Sequence, residues 1–224
     1  MYLNKKILAL IPARGGSKGI KYKNLKKINK KSLIEHTSRF IDKCKFFDET
    51  ILSTESQKII KETEKLKIKT FKRSKLTSKD HTSDYDVISE VLKNIKIKQK
   101  KYDFVIYLQP TSPIRKVSQL TFALNKVIKK KYDSSWSISK VDKKFHPKKI
   151  LKILKNNFLS IYQISGKKIF ARQQLENIYI RNGIFYIFKV SKFLKSKDIF
   201  LSRNFPSITN YLAEFDFYLI SLWQ

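Results

Sequence analysis

The sequence predicts an α/β domain built on a mostly parallel sheet, and two observations carry that prediction. Short apolar runs such as KILALI (6–11) and DFVIYL (103–108) alternate with stretches whose apolar residues recur at helical spacing. Alternation of this kind reads as βαβ units, whose crossovers lay successive strands side by side and parallel. The scarce Gly, Pro and Arg residues crowd into the loops after the strands, where sheets of this class bind ligands.

Taken in order, Lys6–Ile11 is a buried strand that ends at Pro12. Ser32–Cys44 (SLIEHTSRFIDKC) is a helix with Ser32 as N-cap and Glu35 completing a capping box. Thr50–Ser53 is a strand, Ser56–Lys65 a helix and Ile68–Phe71 a further strand. Ser83–Ile97 is a helix whose inner face carries Val87, Ile88, Val91, Leu92 and Ile95. Asp103–Leu108 is the next buried strand and Val117–Lys130 the next helix. Residues 134–180 break the rhythm. SSWSIS, ILKIL and FLSIYQI read as short antiparallel strands, so we expect one domain over 1–224 with an arm inserted at 140–180. IFYIFKV (184–190) resumes a buried strand, and Ala213–Trp223 is read as the last helix.

The chain carries 49 Lys and Arg against 18 Asp and Glu, a formal net charge of +31. A polyanion such as nucleic acid would suit that charge. The basic residues are spread over the whole chain, however, and 42 of them are lysine. No arginine-rich tail, zinc-finger spacing or aromatic RNA-binding signature accompanies them. Compositional drift is the preferred reading, and no nucleic-acid partner is expected. No stretch reaches the roughly 18–20 apolar residues of a membrane span, and the N-terminal apolar run is too short for a signal peptide. Cys44 is the single cysteine, so a reducing cytoplasm is the expected compartment.

Against the lysine background each of the seven arginines (Arg14, Arg39, Arg73, Arg115, Arg172, Arg181, Arg203) is informative, because its planar fork grips phosphate or carboxylate bidentately. Three of only five glycines, Gly15, Gly16 and Gly19, stand in one loop after the first strand. That loop, Pro12–Asn24, matches neither GxxxxGK[ST] nor GxGxxG. Its amides, with Arg14, Lys18 and Lys23, suit a triphosphate. The alternative is a basic surface turn.

Four segments in order then carry a family likeness. IPARGGSKGIKYKN (11–24) resembles the signature loop of the acylneuraminate cytidylyltransferases, the CMP-sialic acid synthetase family. LSTES (52–56) and FKRSKLTSKDHTS (71–83) look like its second-strand and RPxxLAxD segments. YLQPTSPIR (107–115) is similar to LQPTSPLR, and RQQLENIYIRNGIFYIF (172–188) to RxxxxxxYxxNGxxY. The resemblance implies a three-layer Rossmann-like nucleotidyltransferase fold with a small β-rich dimerisation arm, hence a homodimer. It implies transfer of CMP from CTP to an acidic nine-carbon sugar.

Position by position, it implies that Arg14 and Lys23 neutralise the CTP phosphates, Lys23 nearest the α-phosphorus. Ala13, Gly15, Gly16, Ser17, Lys18 and Asn24 hold the nucleotide. Arg73, Asp80 and Ser83 lie beside base and ribose. Gln109, Thr111 and Ser112 orient the sugar, and Arg172, Tyr179, Asn182 and Gly183 complete its pocket. For Gln109 a rigid turn, and for Tyr179 core packing, are the plainer alternatives. The family also implies Mg2+ bound by a late D-I-D-x-x-x-D-F segment. The corresponding stretch here is NYLAEFDF (210–217), with Asn210 and Leu212 where the metal-ligand aspartates belong. Asn210 and Asp216 remain the candidate ligands. Two readings stay open: Mg2+ carried mainly by the CTP phosphates, or a weakened or inactive homologue. His36, His81 and His146 form no ligand cluster in sequence.

Overall fold

In the computed structural model, which describes residues 1–16, 19–97 and 101–209, the expected alternation becomes one seven-stranded sheet. β1 (Ile7–Pro12) is followed by a ribbon of β2 (Lys27–Ile28) and β3 (Lys31–Ser32) and by α1 (Leu33–Lys43). Then come β4 (Glu49–Thr54), α2 (Gln57–Lys65), β5 (Lys69–Lys72), α3 (Asp84–Ile97), β6 (Phe104–Tyr107) and α4 (Val117–Lys129). The second half holds β7 (Ser134–Lys140), β8 (Leu151–Ile153), β9 (Leu159–Ile161), β10 (Tyr179–Lys189), α5 (Val190–Ser196) and β11 (Asn204–Ile208). The strand order is β11-β7-β10-β6-β1-β4-β5, and only β10 runs antiparallel to its neighbours.

The three layers follow from a period of two along each strand. Ile7, Ala9 and Ile11 of β1 face one way and pack with Ile34 and Phe40 of α1, Ile59 of α2 and Leu124 of α4. Leu8 and Leu10 face the other way, onto Val87, Ile88 and Val91 of α3 and Phe193 of α5. Both faces of the strand are therefore covered, which is why it reads as an unbroken apolar run. Cys44 is buried in the first of these cores, and burial pushes its thiol up to about 12. No helix among the described residues is long and apolar enough to cross a membrane.

Two expectations need adjustment. SSWSIS does not belong to the arm: as β7 it pairs with β10 and β11 inside the main sheet. Its serines are buried and two of them are bonded across the sheet here, Ser135 Oγ to Ser207 Oγ at 2.7 Å and Ser137 Oγ accepting from the Phe185 N–H at 3.0 Å. Only β8 and β9 form the separate antiparallel hairpin. The capping box is half built: Ser32 Oγ accepts from the Glu35 N–H at 3.0 Å, but the Glu35 carboxylate accepts from Arg39. The helix expected at 213–223 lies outside the described residues.

Candidate active site

Because β1, β4, β5 and β6 run parallel, the loops after them open at one end of the sheet. β10 runs the opposite way, so its Asn182–Gly183 segment arrives at that same end. Between these loops lies a cleft of about 350 Å³, whose lining includes Arg14, Lys23, Asn24, Arg73, Asp80, Gln109 and Thr111. Residues distant in sequence but singled out for a nucleotide and for a sugar thus share one cavity.

The first loop is tied down before it reaches the cleft. The Ala13 N–H donates to Ser53 O at 2.9 Å, and Asn24 Nδ2 donates to Arg14 O at 3.1 Å. Gly15 passes so close to the start of α2 that a Cβ there would stand 2.6 Å from Ser56 Cβ. Its N–H donates to Glu55 Oε1 at 2.7 Å, so this amide is held by the protein rather than offered to a ligand. A Cβ at Gly16 or Gly19 would meet nothing within 4 Å, leaving that part of the loop open. Ser17 and Lys18 lie outside the described residues.

Arg14 crosses the mouth to bond Asp80 Oδ1 at 2.9 Å, joining the first loop to the segment between β5 and α3. Arg73 is buried, with Nε donating to Ser53 Oγ at 2.8 Å. Burial pulls its guanidinium below the ordinary value, while the fields of Tyr107, Glu55 and Glu90 act in the opposite sense. Ser83 caps the helix that follows. Its hydroxyl accepts from the Asp86 N–H at 3.1 Å and donates to Asp86 Oδ2 at 2.7 Å, capping α3.

On the opposite wall Gly183 has φ +71, and a Cβ there would run into Gln109 Oε1 and stand 3.2 Å from Ser112 Oγ. Glycine at this position lets the Gln109 side chain lie flat against β10. Ser112 Oγ donates to Asn182 O at 3.1 Å, and Asn182 Nδ2 donates to Ser139 Oγ at 2.9 Å and to Thr209 Oγ1. Asn182 and Ser112 are therefore joints between β7, β10 and the end of β11. Arg172 sits in a short turn on the arm and Tyr179 opens β10 at 43% exposure, so core packing does not describe Tyr179. Neither residue is among those lining the cleft.

Several functional positions escaped sequence reasoning. Asp84 and Tyr107 line the cleft and are bonded to each other at 2.8 Å, Tyr107 hydroxyl to Asp84 Oδ1. Arg115 was marked as one of seven arginines and as the last residue of YLQPTSPIR, with no role assigned. It proves half-buried, donating Nε to Ile184 O at 2.8 Å, one terminal nitrogen to Thr37 Oγ1 at 3.2 Å and the other to Gln109 O. Burial lowers its guanidinium to about 9, so it is a cation at neutral pH.

Mg2+ asks for several hard oxygen ligands. Among the described residues no group of three or more His, Cys, Asp or Glu could hold a metal. The two cleft carboxylates already accept from protein donors, Asp80 from Arg14 and Asp84 from Tyr107. The described donor set therefore does not make a protein-built Mg2+ site. Asn210, Leu212 and Asp216 lie outside the described residues.

A parallel-sheet domain with basic loops gathered at the carboxyl ends of its central strands defines an α/β nucleotide-binding protein. The chain belongs to the cytidylyltransferase family, whose model matches residues 8–218. It is 30% identical over 202 residues to an N-acylneuraminate cytidylyltransferase of Streptococcus agalactiae, covering 89% of this chain and 47% of that protein. It is 29% identical over 197 residues to a pseudaminic acid cytidylyltransferase of Campylobacter jejuni, covering 87% and 83%. The chain thus spans about half the length of the streptococcal relative. Among solved structures, a CMP:2-keto-3-deoxy-manno-octonic acid synthetase complexed with CTP superposes with TM-score 0.67 at 16% identity, covering 92% and 91% of the two chains. A 4-diphosphocytidyl-2C-methyl-D-erythritol synthase superposes with TM-score 0.66 at 12% identity, covering 98% of each. These two likenesses establish the nucleotidyltransferase fold.

Proposed function

We propose that the chain activates an acidic nine-carbon sugar of the sialic, legionaminic or pseudaminic type with CTP. The observation that carries this reading is the single cleft in which Arg14 and Lys23 face Gln109 and Thr111. The anomeric hydroxyl oxygen of the sugar bonds to the α-phosphorus of CTP while the bond to the bridging β-phosphate oxygen breaks. Pyrophosphate leaves in line, and the hydroxyl proton passes to solvent. Such a displacement depends on positioning and charge neutralisation, which two cations and a tethered loop supply. Arg172, placed on the arm, suits the sugar carboxylate if the arm comes to lie over the cleft. Mg2+ would arrive on the triphosphate itself, with Asn210 and Asp216 as the candidate protein ligands. Because Cys44 is the single cysteine, we place the reaction in a reducing cytoplasm.

The test is a melting-temperature series with each nucleoside triphosphate, followed by pyrophosphate release with CTP, Mg2+ and a panel of nonulosonic acids. CTP should raise the melting temperature most, and at least one acid should give turnover. Stabilisation by CTP without turnover on any acid would instead favour the weakened homologue that Asn210 and Leu212 suggest. No nucleotide-dependent shift at all would remove the reading.

We further infer that the hairpin arm seats a second copy of the chain. It exposes Ile153 (74%), Phe158 (67%), Leu159 (67%), Ile164 (81%) and Phe170 (88%) within one short insertion. Apolar surface on that scale marks an interaction site in a soluble protein. Light scattering on the eluting protein should give the mass of a dimer, and a clean monomer at micromolar concentration would reject the inference.

A further inference from the structure

We propose that Asp84 is the residue that selects cytosine over uracil, by accepting a hydrogen bond from the exocyclic amino group of the base. The proposal rests on the reading of the cleft as a CTP site and adds to it a source of base specificity. Arg14 and Lys23 suit part of the lining to phosphate, and the Asp80 carboxylate is bonded to Arg14. Asp84 lines the same cleft, and its carboxylate accepts from the Tyr107 hydroxyl and not from a cation in any bond seen among the described residues. A carboxylate facing a triphosphate would repel it, so the region around Asp84 belongs to the uncharged part of the nucleotide.

The geometry then fixes what Asp84 can offer. The Tyr107 side chain is fully buried, and its hydroxyl donates to Asp84 Oδ1 at 2.8 Å. Burial first, and the Asp84 charge second, push the Tyr107 phenol well above its ordinary value, so it stays protonated and stays a donor. One carboxylate oxygen thereby already has a protein donor. The other is an acceptor and nothing else. Cytosine presents an amino group at its 4-position, where uracil presents a carbonyl oxygen. An acceptor-only group matches the first and repels the second, the same pairing by which Asp and Glu read cytosine in nucleic acids. Asp84 sits at the first position of α3, so its backbone is held by a helix and its rotamer by Tyr107.

The experiment is titration calorimetry of the full chain with CTP, UTP and 2′-deoxycytidine triphosphate, comparing wild type with Asp84→Asn. Wild type should bind CTP more tightly than UTP by about 10-fold or more. In Asp84→Asn the amide oxygen keeps the Tyr107 hydrogen and turns the amide NH₂ toward the cleft. The preference for CTP should then fall by about 10- to 100-fold, with UTP gaining in absolute affinity. An unchanged ratio overturns the proposal. So does an equal loss for CTP and UTP joined to loss of discrimination against the 2′-deoxy nucleotide, which would place Asp84 on the ribose. Wild type binding CTP and UTP equally would reject base selection while leaving the nucleotide site standing, whereas binding neither would reject the site itself. Should Asp84→Asn fail to fold, Tyr107→Phe keeps the carboxylate but frees its rotamer, and a CTP preference as large as that of wild type would overturn the proposal.

Discussion

Replacing Lys23 with alanine is expected to lower kcat for cytidylyl transfer by about 10²–10³, as removing one preorganised charge at a reacting centre does elsewhere. Lys23 opens a short helical turn, Lys23–Leu25, that follows Tyr22 in the left-handed region at φ 53. The Leu25 N–H bonds Tyr22 O at 2.8 Å and the Lys26 N–H bonds Lys23 O at 3.1 Å. The backbone that carries the ammonium is thus fixed without help from the ammonium itself. The effect should therefore fall on the transition state, where charge builds on the leaving oxygens, more than on CTP affinity. Arg14→Ala differs in a telling way. It deletes a cation and also the bond that ties the first loop to Asp80, so KM for CTP should rise as kcat falls. Neither change should cost much stability, because the Arg14–Asp80 pair is about one-third exposed on both sides and such pairs contribute little. Pyrophosphate kinetics with a thermal melt on each variant checks this. A Lys23→Ala enzyme within about threefold of wild type would contradict the role.

Much of this site was legible because its residues stand directly after strands that the sequence marks clearly. Arg14, Lys23, Asn24, Gln109 and Thr111 follow β1 and β6, whose apolar runs leave no doubt about their burial. Arg73 follows β5, which is short and only half buried, and was found through its loop instead. β7 was misplaced for a physical reason. Alternating serines imitate a solvated edge, whereas here the hydroxyls of Ser135, Ser137 and Ser139 find partners in β10 and β11. β11 carries Pro206, tolerable because it lies at the edge of the sheet, and its five residues give too weak a pattern to announce a strand. Asp84 and Tyr107 were out of reach because their meaning lies in a bond across 23 residues that neither local pattern implies. Arg172 and Tyr179 entered only through family likeness, and motif spacing does not encode where the arm carries them.

Arg115→Met should lower stability by about 2–4 kcal/mol, a melting-temperature fall of roughly 5–15 °C for a chain of this size. The sign is not obvious, since a buried cation is itself costly and methionine removes it. No carboxylate among the described residues pairs with Arg115, so its charge is met by Ile184 O, Gln109 O, Thr37 Oγ1 and the Phe40 ring, 5.7 Å away. Thr37 also bonds Leu33 O at 3.0 Å, and Gln109 O also accepts the Ser112 N–H at 3.1 Å, so both keep a partner in the variant. Ile184 O loses the charged donor outright, and three charge-assisted bonds, each stronger than a neutral one, disappear together. Those losses exceed the relief from desolvation, because the guanidinium was well satisfied where it stood. Arg115→Lys decides the matter. An ammonium is a point donor and cannot reach all three acceptors from one buried position, so lysine should be no more stable than methionine despite keeping the charge. The same argument reaches the active site: Arg115 holds the Gln109 carbonyl just after β6 and the Ile184 carbonyl next to Gly183 on β10, so it sets the spacing of the wall on which Gln109 lies. In both variants the KM for the acceptor sugar should rise more than the KM for CTP. A lysine variant that melts with wild type, or one whose two KM values rise together, would show that the guanidinium fork does not position this wall.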